Sequence, residues 1–288
     1  MKIAIFGNKY QDRYLERLPE FIDLLLSSGL DVLVESSFYD YIRLADSRLV
    51  RSTVADITAS PDLAAVITLG GDGTLLHTAQ LLSDVEAPLL GVNTGHLGYL
   101  TTAGLDDAAT LVSQLMAGQL VVERRTMLQV RPVGSAISIT SPHALNEIAI
   151  LRQDTSSMIE METTLNGVPL TTYKGDGLVV STPSGSTAYN MSAGGPILEP
   201  TTACFVLTPV SPHSLHTRPL VVRDDAIIRI TVRSRAPLYQ ISVDGNSVLC
   251  PSDTTVEISR SPRTLRLAQL AEHHFAATLR QKLQWGGI

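Results

Sequence analysis

The segment Ala64-Ala65-Val66-Ile67-Thr68-Leu69 runs directly into Gly70-Gly71-Asp72-Gly73-Thr74, and an amphipathic run begins at Leu75. An apolar stretch, a glycine loop and a helix start are typical of a parallel strand and its crossover helix, with the loop at the carboxyl end of the strand, where open α/β sheets bind ligands. Glycines let the backbone approach a phosphate and point N–H groups at it. The segment therefore predicts an α/β domain with a phosphate loop formed by Gly70, Gly71, Gly73 and Thr74.

Asp72 is the unusual residue of this loop, because a carboxylate repels phosphate unless it has a function there. It could accept a proton from an attacking hydroxyl or help to hold Mg²⁺. Alternatively, it could cap the helix that follows the loop. The chain contains neither a Walker A sequence nor the GxGxxG dinucleotide fingerprint, so the loop alone does not identify the ligand.

Outward from the loop, residues 1–118 alternate short apolar runs with amphipathic stretches, which predicts a Rossmann-like parallel sheet with crossover helices. The expected strands are Ile3–Phe6, Val32–Val34, Ala64–Leu69 and Pro88–Val92. The expected helices are Tyr14–Leu26, Leu75–Leu82 and Ala108–Met116.

Residues 119–262 lose the helical period and read as a β-rich second domain, because short β-prone runs are broken by Gly, Pro, Asn and Asp. Its expected strands are Leu128–Val133, Glu147–Leu151, Met158–Leu165, Gly177–Thr182, Phe205–Pro209, Ile227–Val232, Tyr239–Val243 and Thr255–Ser259. Residues 263–288 are expected to return to the first domain through a helix over Glu272–Trp285.

Composition narrows the class of protein. A formal net charge of -6, from 22 basic and 28 acidic residues, argues against nonspecific nucleic-acid binding. Two cysteines, Cys204 and Cys250, form no disulfide framework or zinc motif. No segment has the length of a signal-peptide core or a membrane span, so we expect a cytoplasmic protein with neither nucleic-acid nor membrane partners.

The run Gly70–Thr74 resembles the GGDGT signature shared by NAD kinases, lipid kinases and, more loosely, phosphofructokinases. Four further segments occur in the order typical of the NAD kinase family, and the chain is identified by resemblance as a member. They are Asn93–Tyr99, Leu145–Glu147, the run Gly175–Gly177 through Ser181–Pro196, and Pro212–Leu215 with Arg218-Pro219.

The resemblance implies a set of NAD-binding residues, of which Asp72 is also the catalytic base. The asparagine and glutamate at 146 and 147 suit the vicinal hydroxyls of a ribose, and the run 187–192 suits adenine. The set comprises Asp72, Gly73, His77, Asn146, Glu147, Lys174, Asp176, Thr187, Ala188, Tyr189, Asn190, Met191, Ser192 and Asn246.

Several positions depart from the common family pattern or are ambiguous. His77 stands where many members have Arg, Ser184 where Thr is usual, and Asn246 where Gln is frequent; these differences concern donor selectivity and fine positioning. His96 and Tyr99 could line the nicotinamide side or be structural. Each pairing of polar residues also has a plainer interpretation, such as a surface Lys174/Asp176 pair of little energetic consequence.

The implied activity is transfer of a phosphoryl group to the 2′-hydroxyl of the adenosine ribose of NAD, with ATP as donor. A divalent metal, Mg²⁺, would be carried by the donor phosphates. The resemblance and the uncovered edges of a β-rich domain imply a homodimer or homotetramer. The alternatives are a lipid or sugar kinase that shares the glycine loop, and a noncatalytic sensor of NAD or NADP.

Overall fold

The structure is a computed structural model that describes residues 1–7, 9, 16–42, 46–82, 85–95, 98–134, 137–154 and 157–284. The chain divides into two compact units. Unit 1 comprises Met1–Arg124 and Leu265–Ile288, and unit 2 comprises Arg125–Thr264.

Unit 1 is built on a parallel sheet. Its strands are β1 (Lys2–Gly7), β2 (Asp31–Glu35), β3 (Leu49–Ser52), β4 (Leu63–Leu69), β5 (Leu89–Asn93) and the short β6 (Ala103–Gly104). The first five lie in the order β3-β2-β1-β4-β5, and every neighbouring pair is parallel. The connections therefore reverse direction between β1 and β4, and the carboxyl ends of these two strands flank a topological switch point, where doubly wound sheets bind ligands.

The helices of unit 1 before the second unit are α1 (Leu18–Ser27), α2 (Ser36–Ile42), α3 (Val54–Thr58), α4 (Asp72–Leu81) and α5 (Ala108–Ala117). Helix α1 begins later than the predicted Tyr14, which lies outside the described residues. Helix α4 begins earlier than predicted, at Asp72, since Gly71 already serves as its N-cap. Strand β3 and helices α2 and α3 have seven residues or fewer, too short to give a clear period in the sequence.

Unit 2 is rich in antiparallel strands, as predicted. These are β7 (Val121–Val133), whose first residues belong to unit 1, β8 (His143–Ala144), β9 (Glu147–Arg152), β10 (Ile159–Leu165), β11 (Val168–Gly175), β12 (Gly177–Ser181), β13 (Cys204–Val210), β14 (Leu220–Arg223), β15 (Ile228–Arg233), β16 (Leu238–Val243), β17 (Asn246–Pro251) and β18 (Thr255–Gln269). One sheet has the order β14-β13-β12-β9-β16-β17. Strand β10 pairs with β11 and β15, and β15 pairs with the start of β18.

Four strands of unit 2 lie outside the predicted set: the two-residue β8, and β11, β14 and β17. Each of the last three ends a row of paired strands. Their side chains are mostly exposed, and β11 has five consecutive exposed residues. Edge strands of this kind lack the alternation of apolar and polar residues that marks a half-buried strand. A four-residue helix, α6 (Tyr189–Ser192), interrupts the β-rich pattern.

The C-terminal segment belongs to unit 1. Near the end of β18, Leu267 and Ala268 pair in parallel with Leu89 and Leu90 of β5. Helix α7 (Phe275–Leu283) follows, and the side-chain amide of Gln114 on α5 donates to the Glu272 carboxylate at 2.9 Å. The expected α/β first domain, β-rich second domain and returning C-terminal helix are thus confirmed; Trp285, the predicted helix end, lies outside the described residues.

No helix in the described ranges combines the length and apolar character required to cross a membrane.

Candidate active site

The glycine loop of unit 1 connects β4 to α4 at the switch point. Gly70 has a φ of 152°, a value that L side chains rarely adopt. A Cβ added at Gly71 or Gly73 would meet nothing within 4 Å among the described residues. Packing within that part of the chain therefore gives no reason for these two glycines. The open space above a helix N-terminus suits an anionic ligand instead.

Asp72 lies in the first turn of α4, and its carboxylate holds a distant loop. Oδ2 accepts a hydrogen bond from the backbone N–H of Tyr99 at 2.7 Å. Oδ1 accepts from the N–H groups of Leu100 at 3.1 Å and Thr101 at 3.0 Å, and from the Thr101 hydroxyl at 3.1 Å. Gly98 passes so close that an added Cβ would lie 1.8 Å from Oδ1.

Asp72 is not the N-cap of α4. The N-cap is Gly71, and among the described residues no side chain caps this helix end. Since each carboxylate oxygen offers about two acceptor positions, the hydrogen bonds from the described residues saturate Oδ1 and leave one position on Oδ2. Asp72 can therefore position the loop and still accept one proton or hydroxyl through Oδ2.

A cleft of about 490 Å³ opens beside the glycine loop within unit 1. It lies over the carboxyl ends of β1 and β2 and along one side of α4. Its polar lining includes Lys9, Glu35, Gly73, Thr74 and His77. This volume falls in the range of small-molecule sites. A lysine, a histidine and a helix N-terminus make it suited to a phosphorylated ligand, and His77 belongs to this cleft.

In unit 2, Asn146 and Glu147 stand at the start of the central strand β9. The Asp244 carboxylate accepts the backbone N–H groups of Leu145, Asn146 and Glu147 at 2.6, 2.9 and 2.9 Å. On the other side, the Asn146 carbonyl accepts from the Thr182 N–H at 2.9 Å. The backbone of this pair is therefore held from both sides, and the pair is not a solvent-facing strand end.

The side chains of Asn146 and Glu147 have unused acceptors. Asn146 Oδ1 and Glu147 Oε2 are buried and have no hydrogen-bond partner among the described residues. Burial, and then the neighbouring Asp244 carboxylate, raise the pKa of Glu147 to about 7, against the opposing hydrogen bond from the Tyr189 N–H. Buried polar atoms without partners are costly, so this arrangement indicates a site for a ligand that donates hydrogen bonds.

The raised pKa of Glu147 gives a pH dependence of stability. A carboxyl group whose pKa is raised on folding stabilises the fold fully below its unfolded value, near 4.5, and loses that contribution as the pH rises through about 7. Replacing Glu147 by glutamine should therefore stabilise the free protein at pH 8 by on the order of 2–3 kcal/mol relative to its effect at pH 5. Urea unfolding at the two pH values measures this difference.

Glu160→Gln is the matched control, because Glu160 is an exposed carboxylate in the same unit, paired with Lys174. It should leave the difference between pH 5 and pH 8 unchanged. Equal responses of the two variants would refute the buried, proton-binding character of Glu147.

The run 184–192 forms a 3-10 turn over Ser184–Thr187 and then α6. Asn190 is completely buried: its Oδ1 accepts from the Thr208 hydroxyl at 2.6 Å, and its Nδ2 donates to the carbonyls of Ser186 and Pro196 at 3.1 and 3.0 Å. Its side chain is thus occupied in holding the run. Tyr189 is half-buried, and burial, then Asp176, then Glu147 raise its pKa.

The remaining predicted residues are spread over unit 2. Lys174 and Asp176 do not form a pair with each other: Lys174 Nζ lies 2.7 Å from Glu160, and Arg152 Nε lies 3.1 Å from Asp176. The exposed Asn246 begins β17. Thr187 is half-buried and its hydroxyl donates to the Ser184 carbonyl at 3.4 Å; Ala188 and Met191 are also half-buried, and Ser192 is exposed.

His96 lies outside the described residues. Tyr99 contributes its N–H to Asp72, and Lys282 of α7 stands over its ring at 5.5 Å from the centroid. Neither observation places it against a nicotinamide.

Thr101 and Asp244 were not predicted from the sequence. Thr101 donates hydrogen bonds to the Asp72 carboxylate, and the Asp244 carboxylate accepts three backbone amides. The sequence around Asp244 shows a Val-Asp-Gly-Asn turn, a hairpin signal that carries no hint of the contact with Leu145–Glu147. Thr101 lies just beyond the segment Asn93–Tyr99, and no motif in the sequence includes it.

A glycine loop at a helix N-terminus and a cleft suited to a phosphorylated ligand are features expected of a kinase. Comparison with known proteins gives the family. Residues 3–120 match the ATP-NAD kinase N-terminal domain, and residues 145–270 match the ATP-NAD kinase C-terminal domain. The chain belongs to the NAD kinase family and phosphorylates the 2′-hydroxyl of the adenosine ribose of NAD.

Similar proteins extend over the whole chain. It is 42% identical over 287 residues to an NAD kinase of Porphyromonas gingivalis, with 99% of this chain and 98% of that protein covered. An NAD kinase of Bacteroides fragilis is 38% identical with the same coverage. These matches to NAD kinases exclude the two alternative functions, a lipid or sugar kinase and a noncatalytic sensor.

Two solved structures share the fold. The yeast NADH kinase complexed with NADH has a TM-score of 0.90 and 24% identity, covering 100% of this chain and 89% of the other. The NAD kinase from Archaeoglobus fulgidus in complex with ATP has a TM-score of 0.74 and 25% identity, covering 100% of both chains.

Proposed function

We propose that the chain makes NADP from NAD and ATP, with the donor in the cleft of unit 1, Asp72 as the catalytic base, and the acceptor ribose on Asn146 and Glu147 of unit 2. The observation that carries this assignment is the Asp72 carboxylate, which four hydrogen bonds fix and which keeps one acceptor position with respect to the described residues. Rigid placement of a base is what a reaction governed by positioning requires.

The cleft beside the glycine loop supports a nucleoside triphosphate donor. The N–H groups at the start of α4 and the Lys9 side chain suit the phosphates, and His77 adds a second polar group on the same wall. The Archaeoglobus relative solved with ATP supports ATP as the donor. The cleft volume of about 490 Å³ is within the range of small-molecule sites.

A divalent ion would enter with the donor. The described residues contain no group of three or more His, Cys, Asp or Glu side chains that could hold a metal ion. We therefore assign the ion to the donor phosphates, where it would neutralise charge during transfer. The chain itself contributes loop amides, Lys9 and His77 to that neutralisation.

In the chemical step, the 2′-oxygen forms a bond to the γ-phosphorus while the bond between that phosphorus and the bridging oxygen of the β-phosphate breaks. The hydroxyl proton passes to Oδ2 of Asp72, and ADP leaves. The Tyr99, Leu100 and Thr101 hydrogen bonds keep the carboxylate from rotating away. General base catalysis of this kind contributes roughly two to four powers of ten.

The acceptor is oriented by unit 2. In the bound state before transfer, Asn146 Oδ1 and the ionised Glu147 carboxylate accept the two ribose hydroxyls, which supplies the partners that these buried oxygens lack among the described residues. The 2′-hydroxyl turns its one hydrogen to Oδ2 of Asp72 only as its oxygen attacks the γ-phosphorus. The half-buried Tyr189 offers a ring face for adenine next to Glu147. Lys174, Asp176, Asn246 and the run 187–192 complete the proposed acceptor set, with Asn190 acting through the backbone that it holds.

Asn146→Ala tests the acceptor assignment. It should raise the apparent KM for NAD, because a lost hydrogen bond between uncharged groups costs about 0.5–1.5 kcal/mol, and should leave the KM for ATP nearly unchanged. Steady-state kinetics with one substrate varied at a time gives both values. Asn166→Ala, at an exposed turn of the same unit, is the control; NAD binding unaltered by Asn146→Ala in calorimetry would rule out the assignment.

We also propose a homodimer or homotetramer built through unit 2. Edge strand β11 exposes Val168 at 65% and Leu170 at 36%. Exposed apolar side chains on an edge strand are an aggregation hazard that a self-complementary contact would remove. Assembly would then cover the edge with the same edge of a second copy.

Val168→Glu should shift the protein toward the 31.0 kDa monomer in light scattering, because a symmetric contact places each new charge against an apolar face of the partner. Val50→Glu, at an exposed valine of β3 in unit 1, should leave the mass unchanged. A wild-type protein that is monomeric and fully active at assay concentration would contradict this proposal.

A further inference from the structure

Asp244 occupies the tight turn between β16 and β17, and the proposed chemistry leaves it without a role. Its φ is 45°, in the left-handed region that non-glycine residues seldom adopt. Its own N–H donates to the Glu147 carbonyl at 3.1 Å. The turn is therefore tied directly to the start of β9, about one hundred residues earlier in the chain.

The Asp244 carboxylate gathers three consecutive amides, those of residues 145–147. Oδ2 accepts from Leu145, and Oδ1 accepts from both Asn146 and Glu147. Three successive N–H groups can converge on one carboxylate only if the backbone bends at these residues. The bend fixes the directions in which the side chains of Asn146 and Glu147 leave the chain.

The opposite face of this segment is held by neutral groups. The Thr182 hydroxyl donates to the Leu145 carbonyl, and the Thr182 N–H donates to the Asn146 carbonyl. Residues 145–147 are thus held between Asp244, which is charged, and Thr182, which is neutral. Hydrogen bonds to a charged group are stronger than those between neutral groups.

We propose that Asp244 is a positioning residue for the NAD ribose: its carboxylate holds Asn146 and Glu147 in the orientation that accepts the ribose hydroxyls. This inference rests on the proposed acceptor role of that pair. The further claim is that Asn146 and Glu147 bind the ribose only while the Asp244 carboxylate holds the backbone N–H groups of residues 145–147.

The charge of Asp244 also acts on Glu147 directly. After burial, Asp244 is the next cause of the raised pKa of Glu147, while burial raises the pKa of Asp244 itself to about 6 against the three amides. Among the described residues, Tyr189 also acts on Glu147: its backbone N–H donates to the carboxylate and lowers the pKa of Glu147. The phenol of Tyr189 has its own pKa raised by burial, Asp176 and Glu147. Removing the Asp244 charge should therefore make Glu147 easier to ionise.

The test is Asp244→Asn, with NAD affinity measured by calorimetry at several pH values. Asparagine keeps the size of the side chain but turns one acceptor into a donor that faces amide donors. We expect NAD to bind about 10- to 100-fold more weakly at pH 7.5, with the KM for ATP unchanged. In the wild type, affinity should rise as the pH passes through about 7 and Glu147 ionises; in the variant, this midpoint should move to lower pH.

The matched control is Asp253→Asn. Asp253 is also an aspartate of unit 2 in a turn with positive φ, at 69°, but its carboxylate contacts the exposed Arg233. This variant should bind NAD as the wild type does, with the same midpoint. Wild-type affinity in Asp244→Asn, or weakened affinity with an unmoved midpoint, would overturn the inference; the second result would mean that Asp244 has a purely structural role.

Asp244→Glu keeps the inference testable if Asp244→Asn fails to fold. The longer side chain retains the charge but displaces the amides, so NAD affinity should fall severalfold while the midpoint stays at its wild-type position. Unchanged affinity or a moved midpoint would contradict the inference. Asn146→Ala distinguishes failure of the proposed acceptor site from failure of the positioning role of Asp244. If Asn146→Ala leaves NAD binding intact, the acceptor assignment fails. If only Asp244→Asn behaves as the wild type, the positioning role alone is wrong.

Discussion

Replacing Asp72 by asparagine is expected to lower kcat by roughly two to four powers of ten while NAD affinity stays within a few fold of the wild type. Asparagine removes the acceptor position of Oδ2 that would take the ribose proton. If the amide nitrogen occupies that position, it also faces the Tyr99 N–H, which now donates to Oδ2 at 2.7 Å. Steady-state kinetics and calorimetry on the same preparation separate turnover from binding.

Because Asp72 also holds residues 99–101, a control variant must weaken these contacts while it keeps the Asp72 carboxylate. Thr101→Val removes the hydroxyl that donates to Oδ1 at 3.1 Å and accepts from the Gly98 N–H at 2.9 Å. It leaves a buried N–H without that partner, at a cost of about 1–3 kcal/mol in stability. We expect its kcat to fall by about tenfold or less, and equal losses in the two variants would assign Asp72 to loop positioning alone.

Replacing Gly185 by alanine is expected to have the second largest effect. An added Cβ would lie 2.1 Å from the Asn146 carbonyl oxygen and 2.4 Å from its carbon, and neither backbone atom can rotate away. The turn over Ser184–Thr187 must then separate from the start of β9. We expect the free energy of unfolding to fall by about 3 kcal/mol and NAD binding to weaken by at least about tenfold, since Asn146 shifts.

Gly104→Ala is the matched control for this steric argument. A Cβ there would come no closer than 3.6 Å to Asp107 Oδ2, an ordinary contact. Denaturant unfolding and calorimetry on both variants measure the difference. If Gly185→Ala were as stable and bound NAD as well as Gly104→Ala, the close contact between the 184–187 turn and Asn146 would be wrong.

The sequence predicted those parts of the site whose structure depends on residues close together in the chain. The strand Ala64–Leu69 forms as expected. The following helix also forms, but it begins at Asp72, so that Gly73 and Thr74 of the predicted loop lie in its first turn. The error in the start of α4 has a simple reason: Gly71 caps the helix through its backbone, and no capping side chain marks the position.

The contacts that organise the site could not be predicted in this way, because the partners are remote in sequence. Asp72 meets Thr101 across 29 positions, and Asp244 meets Leu145 across 99. Spacing and periodicity carry no information on such contacts, which depend on how strands pair. Asn190 illustrates the same limit: a polar residue in a substrate-type run is completely buried and bonded to Thr208 of β13.

The central claim is that this chain places a phosphate on the 2′-hydroxyl of the adenosine ribose of NAD, with ATP as the donor. Phosphorus NMR of a reaction of the purified protein with NAD, ATP and Mg²⁺ tests it most directly. We expect a new phosphomonoester resonance that coincides with added NADP and grows in step with ADP. Hydrolysis of ATP to free phosphate without that resonance, or a phosphomonoester at another ribose position, would contradict it.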